Sequence, residues 1–543
     1  MPDSAVRLVV AALALGFVAG LLLAWVFDWT PTGPEVTGPR DASDTGPGPQ
    51  RAPNLVIAGF VVVAALAAAW LTFRATGPEL NSTRSVAVMP FRTLGQSEAD
   101  AFTDGIHVGV ITRLSAVADL DVISRTSVLA LRDSDQPLPA LADALDVNWV
   151  VNVEVQQVGE EVLISARLVD ARTDRQVWAE DYRRRLSAID VFAVQGDIAG
   201  RIIDGINARL TNQEQRRVEL APTQSLDAYR LNQQGRLALE RRTGQAMGEA
   251  LAYFEQALTI DPQYAPAWAG VAETLSVQLA YGVIQDKGQL ARAKLAIDRA
   301  LALDPGLAEA WVARGLLEYL ERRSPAALAA YERAVALRPG YAQAHSLKSF
   351  QLALQGQQVE AVESARQAVR LNPLAAEAWA NLAAGMLTLG RWEEARDAAR
   401  RTLELAPNWP NARFTNAMVL FHSGDPAAAA AQLEGLSMPW TGAGAEMLRG
   451  RALVRLGREA EARALLPTIE AMDDDYALAA LQAALGERDA AFERLKAIET
   501  WDDWSTLTFR NLDGPLWNPA GDDERYAEVL DRVDASWGID AGP

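Results

Sequence analysis

Three histidines, His107, His345 and His422, are the side chains best suited to acid–base or metal chemistry near neutral pH. They lie far apart in the sequence, no pair has metal-ligand spacing, and no HExxH motif occurs. The chain also lacks a phosphate loop ending in Gly-Lys-Ser/Thr and a GxSxG nucleophile elbow. Without cysteine, it can form neither disulfides nor thiolate metal sites. The sequence therefore predicts a protein that is not an enzyme, with no catalytic, cofactor-binding or metal-binding residues and no cofactor.

Three polar clusters have both a functional and a structural interpretation. The run Asp473–Asp475 could hold a cation, but it lacks EF-hand spacing and precedes an apolar helix, whose N-terminus acidic residues stabilise. The run Arg183–Arg185 ends a predicted strand, where a solvated edge is expected. Arg125 could bind an anion or form a structural ion pair. We expect these clusters, and the lone helical His107, to be structural.

The second half of the chain has a 34-residue period. Proline follows it at Pro305, Pro339, Pro373 and Pro407. Alanine keeps the same step at Ala293, Ala327, Ala361, Ala395 and Ala429. This period is typical of helix–turn–helix hairpins, which stack into a solenoid because one hairpin cannot bury its apolar face alone. The alternative, an alanine-rich bundle that matches by chance, does not account for several positions keeping one period.

This period resembles the tetratricopeptide (TPR) family, whose pattern has a large residue at position 4, small residues at 8, 20 and 27, a bulky one at 24 and proline at 32. The third repeat supplies these positions as Trp311, Gly315, Ala327, Tyr331, Ala334 and Pro339. His345 replaces the large residue at position 4, so packing is its expected role. The resemblance implies an all-α solenoid over 225–500, of roughly eight hairpins, and a terminal cap over 501–543.

In TPR proteins the first helix of each hairpin lines a concave face, at positions 2, 5, 9 and 12. Here those positions carry aromatic and methionine side chains, which suit an extended peptide or a partner helix. The candidate partner-binding residues are Tyr319, Phe350, Phe414, Met418 and Phe421. The alternative is that these residues, hereafter the groove residues, pack within the solenoid or against the cap.

Residues 85–212 change to a strand-like period. Val162, Ile164, Ala166 and Leu168 alternate with polar residues, which indicates a sheet with one solvated face. The predicted strands are 85–91, 120–124, 149–158, 162–170 and 176–182, and the predicted helices are 102–117, 138–145 and 191–210. Strands that alternate with helices favour an α/β layer fold. A polar linker over 213–224 follows this domain.

This segment resembles the TolB N-terminal-like (FlgO-type) domain. The stretches that carry the resemblance are 86–91, 102–105, 122–127 and 170–173, together with Val177-Trp178. They match in order and spacing. The resemblance implies an α/β domain that assembles or senses and performs no chemistry.

Two apolar runs, 5–27 and 54–73, are long enough to cross a bilayer as helices. A cleaved signal peptide is the alternative for the first, and a buried helix is the alternative for each. They flank a Pro/Gly-rich linker, 28–53, and a second linker, 74–84, leads to the α/β domain. The residues 23–31 resemble the end of a membrane hairpin in a family of bacterial membrane-anchored proteins with a TolB-like domain and TPR repeats.

That family usually begins with a winged-helix or nucleotide-cyclase domain and places its TPR part outside the cytoplasm. The resemblance implies a trimmed member, or a natural start upstream of Met1. The expected fold class is thus multi-domain: two transmembrane helices, an α/β TolB-like domain and an all-α TPR solenoid. The expected localisation is the bacterial inner (cytoplasmic) membrane, with periplasmic domains and the lipid bilayer bound through 5–27 and 54–73.

Composition limits the partners. The net charge of −19 argues against a nucleic-acid-binding surface, which needs clustered positive charge. The sequence thus favours a non-catalytic membrane-anchored scaffold or sensor that binds protein or peptide partners and no nucleic acid. The alternative is the sensory part of a transcription regulator or nucleotide cyclase whose N-terminal effector domain is absent.

Overall fold

The computed structural model describes most of the chain after residue 83 and two short strands before it. The described residues are 27–30, 33–36, 84–94, 100–132, 134–158, 161–185, 188–219, 221–241, 243–280, 286–436, 443–518, 521 and 523–539. The chain forms two compact units, 1–81 and 82–543. In the first unit, β1 (Phe27–Thr30) pairs antiparallel with β2 (Gly33–Val36).

The predicted fold class, with its two transmembrane helices, is wrong. None of the helices in the described ranges is long and apolar enough to cross a bilayer. Phe27, predicted as the end of the first span, instead begins β1, where it pairs with Val36. The remainder of 5–27 and the whole of 54–73 lie outside the described residues. The fold class is corrected to a helical solenoid with a small sheet region, and the predicted inner-membrane localisation is withdrawn with the spans.

The second unit begins with a six-stranded mixed sheet. Its strands are β3 (Arg84–Val88), β4 (Arg92–Leu94), β5 (Leu120–Val122), β6 (Trp149–Val158), β7 (Glu161–Asp170) and β8 (Arg175–Arg185). The order across the sheet is β5-β3-β6-β7-β8, with β4 also beside β6. β3 runs parallel to both β5 and β6, whereas β6, β7 and β8 form an antiparallel meander. The strand predicted at 149–158 has these bounds in the structure.

Five helices accompany the sheet. They are α1 (Asp100–Leu114), α2 (Arg125–Leu129), α3 (Leu138–Leu145), α4 (Ala188–Ile206) and α5 (Asn212–Glu219). The alternating apolar residues of β7 (Val162, Ile164, Ala166, Leu168) are all buried in the core that these elements share. Helix α5 occupies part of the segment predicted as a polar linker, and Glu214 on it accepts hydrogen bonds from the Ala118 and Thr211 amides. The sheet and its helices together form the α/β domain of this chain.

Eight antiparallel helical hairpins follow within the described residues. Their first helices are α6 (Leu226–Glu240), α8 (Ala265–Ala280), α10 (Ala308–Leu320), α12 (Ala342–Leu354), α14 (Ala376–Thr388), α16 (Pro410–His422), α18 (Gly444–Arg455) and α21 (Asp475–Ala484). Their second helices are α7 (Gly244–Ile260), α9 (Lys287–Leu303), α11 (Ser324–Leu337), α13 (Gln358–Leu371), α15 (Trp392–Leu405), α17 (Pro426–Leu433), the pair α19 (Glu459–Arg463) and α20 (Leu466–Glu470), and α22 (Arg488–Ala497). Three further helices follow among the described residues: α23 (Asp503–Asn511), α24 (Gly514–Trp517) and α25 (Glu524–Ser536).

One ring-to-backbone hydrogen bond explains the 34-residue step. The indole N–H of Trp311 donates to the carbonyl of Pro305, six residues earlier, over 3.0 Å. Trp379 makes the same bond to Pro373 over 2.8 Å. His345 replaces the indole with its Nε2, 2.8 Å from the Pro339 carbonyl, which can only accept. The bond ties the start of the first helix to the turn before it in these hairpins, so the large residue and the proline recur together there.

The small residue at repeat position 8 is required by close packing. A Cβ on Gly315 would lie 2.4 Å from the ring of Tyr331, which occupies position 24 of the same hairpin. Glycine is also required in the turns between paired helices. Gly356, Gly390 and Gly424 have φ values of 78°, 69° and 95°, a left-handed conformation that glycine adopts without strain.

Candidate functional site

One of the groove residues, Tyr319, contacts the C-terminal part of the chain, and a second, Phe350, packs against Tyr319. The Tyr319 hydroxyl donates to Asp503 Oδ2 over 2.9 Å, and its ring stacks on Trp537 at 5.6 Å between centroids. Phe350 meets Tyr319 edge-on at 5.8 Å. Burial and the neighbouring Asp503 carboxylate raise the pKa of Tyr319, so its hydroxyl remains a donor at neutral pH. Tyr319 and Phe350 are each half-buried.

The other three groove residues are buried. Phe414 packs edge-on against Trp504 at 4.9 Å, and Met418 belongs to the same apolar cluster. Phe421 is 1% exposed and lies beneath the guanidinium of Arg455, 3.8 Å from the ring centroid. Tyr319 and Phe414 thus contact the segment 501–539, hereafter the C-terminal segment.

The C-terminal segment is anchored at both ends. Phe509 and Trp517 are fully buried in a core that also contains Tyr476 and Phe492 of the last hairpin. At the other end, the Trp537 carbonyl accepts from the Ser324 amide over 3.1 Å. Close to the first anchor, Asn511 Nδ2 donates to the Ala353 carbonyl at the end of α12 over 3.0 Å. The segment therefore runs from the eighth hairpin back to the third and fourth.

The α/β domain docks on the turns that precede first helices. The Ser124 amide donates to the Leu371 carbonyl over 2.7 Å, and the Gly340 amide donates to the Ser115 carbonyl over 2.9 Å. Ser127 Oγ donates to Asn372 Oδ1 over 2.6 Å and accepts from the Leu374 amide over 3.0 Å. These bonds fix the domain on the fourth and fifth hairpins.

The domain is also continuous with the first hairpin. Tyr229 on α6 lies in the core of the α/β domain, edge-on to Phe192 at 5.1 Å. Its hydroxyl accepts from Gln195 Nε2 over 2.8 Å. Burial raises the pKa of Tyr229, which therefore stays protonated. The α/β domain and the solenoid thus share apolar core as well as hydrogen bonds.

A buried ionic network links the first three hairpins. Arg338 donates to Glu309 over 2.7 Å, and Arg236 lies 3.6 Å from Glu273. Burial alone would raise the pKa of Glu309, but Arg338 and Arg236 together hold it below its usual value. The sequence analysis missed this network. The available signal was the opposite charges at inner-facing positions: Arg236 and Glu273 at position 9, and Glu309 at position 2.

His107, Arg125 and Asp474, which the sequence analysis considered for chemistry, have structural partners. His107 is fully buried, with Nε2 2.8 Å from the Val88 carbonyl, and burial lowers its pKa to about 4. Arg125 pairs with Asp104 and Glu240. Asp474 caps α21 by accepting from the Ala477 amide over 2.8 Å. The described parts of the chain bring no three histidine or carboxylate side chains together as a metal site would require.

Family models match three parts of the chain. Residues 285–342 and 376–409 match tetratricopeptide repeat models, so the predicted TPR repeats are present. Residues 82–195, most of the α/β domain, match the second domain of HilA/YgeH-like transcriptional regulators. The matching model for this domain is thus a regulator domain, whereas the sequence analysis likened it to TolB.

A relative from Rhizobium meliloti (strain 1021), named "Putative adenylate cyclase 3", is 32% identical over 196 residues. That similarity covers 36% of this chain and only a third, 33%, of the relative's own length. Among solved structures, a TPR protein from Parabacteroides merdae ATCC 43184 is 16% identical, with a TM-score of 0.34 and coverage of 48% of this chain and 100% of that one. The APC/C hetero-tetramer Cut9–Hcn1 is 16% identical, with a TM-score of 0.38 and 62% coverage of both chains.

Proposed function

We propose that this chain is a non-catalytic scaffold or sensor that binds a helical segment of a protein partner across the first helices of its solenoid. One observation carries the proposal: helix α23 of its own C-terminal segment already lies against α12, beside the groove residues. TPR repeats bind protein or peptide partners, and the presence of such repeats over 285–342 and 376–409 supports the same function. The groove is then occupied within the chain until a partner competes for it.

The chemistry of the contacts suits such a competition. Asp503 and Trp537 hold Tyr319 through one hydrogen bond and one ring stack, and Trp504 covers Phe414 through another ring contact. An amphipathic helix with acidic and aromatic side chains can replace each of these in kind. Trp517 lies in the terminal core on the next helix, α24, and can stay in place, whereas Phe509 is on α23 together with Asp503 and Trp504. Only the contacts to hairpins three to six need to be exchanged.

The experiment uses the full chain. A partner is identified by cross-linking in the source bacterium, and its binding is then measured with purified proteins for wild type, Phe350→Ala and Phe414→Ala. If a few aromatic anchors carry the affinity, each substitution should weaken binding by about thirtyfold, or roughly 2 kcal/mol. Leu295→Ala, on a side chain that is 65% exposed on the second helix α9, is the matched control and should bind normally.

Thermal unfolding of the same variants separates binding from folding. Weakened binding by Phe350→Ala with a midpoint close to that of wild type supports the groove. Phe414 is buried, so Phe414→Ala should lower the midpoint as well, and its binding is measured at a temperature where the variant is folded. Normal binding by both aromatic variants would overturn it. A large fall in the unfolding midpoint for both would assign these rings to the core, and the binding surface would then have to be sought on the α/β domain.

A second candidate function is regulation of a transcription factor or nucleotide cyclase. It rests on the regulator-type match over 82–195 and on the similarity to the Rhizobium meliloti relative. In this case the captured partner, or a further domain of the same polypeptide, is a DNA-binding or cyclase effector. A partner of unrelated type would disfavour this candidate and leave the scaffold proposal intact.

Both candidates treat the described chain as non-catalytic and as a poor binder of nucleic acid, in keeping with its net charge of −19. Purified chain incubated with ATP and Mg²⁺ or Mn²⁺ should form no cyclic AMP. Cyclic AMP that accumulates in proportion to the amount of chain, and that survives repurification, would contradict a non-catalytic role.

A further inference from the structure

A cavity of about 690 Å³ lies where the C-terminal segment passes the ends of several first helices. Its wall is formed by the ends of α14, α16, α18 and α21 and by the chain around α24. Sites for small molecules are typically about 300–1,000 Å³. The volume is thus sufficient for a small organic ligand, and it lies apart from the contacts that Tyr319 and Phe350 make.

Most of this cavity is apolar. Leu387, Val454, Leu512 and Leu516 contribute aliphatic side chains to its lining. Trp392 lies at the same site and is 44% exposed, a large fraction for an indole. Water in contact with this aliphatic wall and the exposed indole is unfavourable. A hydrocarbon chain that covers them would therefore bind through the hydrophobic effect.

The polar part of the lining is cationic. Arg451 donates one hydrogen bond of 2.8 Å to Oδ2 of the fully buried Asp513, and its second terminal nitrogen lies 2.8 Å from Oδ1 as an ion-pair contact, which makes a neutral pair. Arg455 donates one N–H to the Phe421 carbonyl over 2.8 Å. This places its positive charge near the partial negative charge at the C-terminal end of α16. Among the described residues, no carboxylate lies within ion-pair distance of Arg455, and none belongs to the cavity lining. Its guanidinium lies over the Phe421 ring, and its N–H groups other than the one given to the Phe421 carbonyl are available to a ligand.

His422 lines the cavity beside Arg455. In the described part of the chain, neither of its ring nitrogens has a hydrogen-bond partner; its ring contacts Phe421 edge-on at 5.0 Å. Burial lowers the pKa of His422 to about 4, so at neutral pH it presents one donor and one acceptor. His422 is only partly buried, so its ring nitrogens can reach a ligand atom placed in the cavity.

We propose that this cavity binds a small amphiphilic carboxylate. The carboxylate accepts hydrogen bonds from Arg455 and His422, and the hydrocarbon part lies along Leu387, Leu512 and Leu516, with Trp392 at the entrance. This inference goes beyond the partner-binding function because it concerns a small molecule, although the cavity shares Phe421 with the groove residues. It makes the C-terminal segment one wall of a ligand site.

The test uses the purified full chain and two probes of equal length, sodium decanoate and decan-1-ol, in isothermal titration calorimetry at pH 7. Decanoate should bind at one site, and decan-1-ol should bind at least about tenfold more weakly, since a charge-assisted hydrogen bond is lost. Arg455→Gln should weaken decanoate binding by about tenfold and leave decan-1-ol binding unchanged. Ala484→Phe, which fills part of the cavity, should weaken the binding of both probes.

Arg458→Gln is the matched control. Arg458 lies three residues after Arg455 in the chain, is not part of the cavity lining, and pairs with Glu461 over 2.6 Å. This variant should bind decanoate as wild type does. Equal affinity for the two probes, or unchanged decanoate binding in both Arg455→Gln and Ala484→Phe, would overturn the proposal. Absence of decanoate binding to wild type would also overturn it.

Discussion

The α/β domain and the C-terminal segment both dock on the solenoid, but with different chemistry. The α/β domain reaches the turns between hairpins with backbone groups and serine hydroxyls, as at Ser124 and Ser127. The C-terminal segment reaches the first helices mainly with aromatic rings, as at Trp504 and Trp537. Hydrogen bonds to backbone groups fix one relative position, whereas ring contacts tolerate a substitute ring. The C-terminal segment also makes hydrogen bonds to backbone groups, at Trp537 and Asn511, so only its ring contacts are suited to exchange.

The largest effect is expected from the aromatic anchor of the C-terminal segment. Phe509→Ala removes a fully buried ring that packs near Trp501, Trp517 and Tyr526. Creating this cavity should cost about 3–5 kcal/mol of unfolding free energy. Urea denaturation of the full chain measures it, with the exposed Leu295→Ala as the control. A loss below about 1 kcal/mol would mean that the segment's buried end is not a fixed anchor.

The second effect depends on pH and belongs to the α/β domain. Burial holds the pKa of His107 at about 4, against about 6.5 in the unfolded chain. The unfolded state therefore binds the proton more readily, so stability is full above pH 6.5 and falls as the pH drops toward 4. His107 contributes up to about 3 kcal/mol to this loss.

His107→Gln should flatten the fall between pH 6.5 and 4, as measured by urea denaturation at each pH. His422, whose pKa is also about 4, titrates in the same window and leaves a residual slope. A pH dependence identical to that of wild type would show that His107 is not held neutral by its surroundings.

The smallest effect is expected at the hydrogen-bonded interface. Ser127→Ala deprives the Leu374 amide and Asn372 Oδ1 of their partner. Leaving these groups unsatisfied should cost about 1–3 kcal/mol. Thr259→Ala removes an exposed hydroxyl that bonds only its own helix, and it should change stability by less than about 0.5 kcal/mol. Equal effects of the two substitutions in urea denaturation would mean that the serine bonds do not hold the interface.

What the sequence predicted follows from repetition. The large residue at position 4 and the proline before it recur in the third to fifth hairpins because these hairpins make the same ring-to-carbonyl bond, so even His345 could be assigned to packing. The helix at 138–145 and the strand at 149–158 were likewise readable from local patterns. In each case the residues that decide the structure are neighbours in the chain.

The docking contacts could not be predicted in this way. Ser127 meets Asn372 across 245 positions, and Tyr319 meets Asp503 across 184. Each such pair occurs once, so no period reveals it. The sequence placed the groove residues on first helices. It could not show what covers them, because that depends on where the C-terminal segment returns. The polar character of Asp503 and Asn511 gave no sign of that return.

The return of the C-terminal segment changes how the repeat array should melt. A stack of hairpins that touch only their neighbours behaves as a one-dimensional chain and can fray from either end. Here the α/β domain ties the first hairpin to the fourth and fifth, and the C-terminal segment ties the eighth to the third and fourth. These ties close the array into two loops that share a middle. Neither end can then fray alone, and the solenoid should lose its structure in one cooperative step, without the springlike extension of an open array.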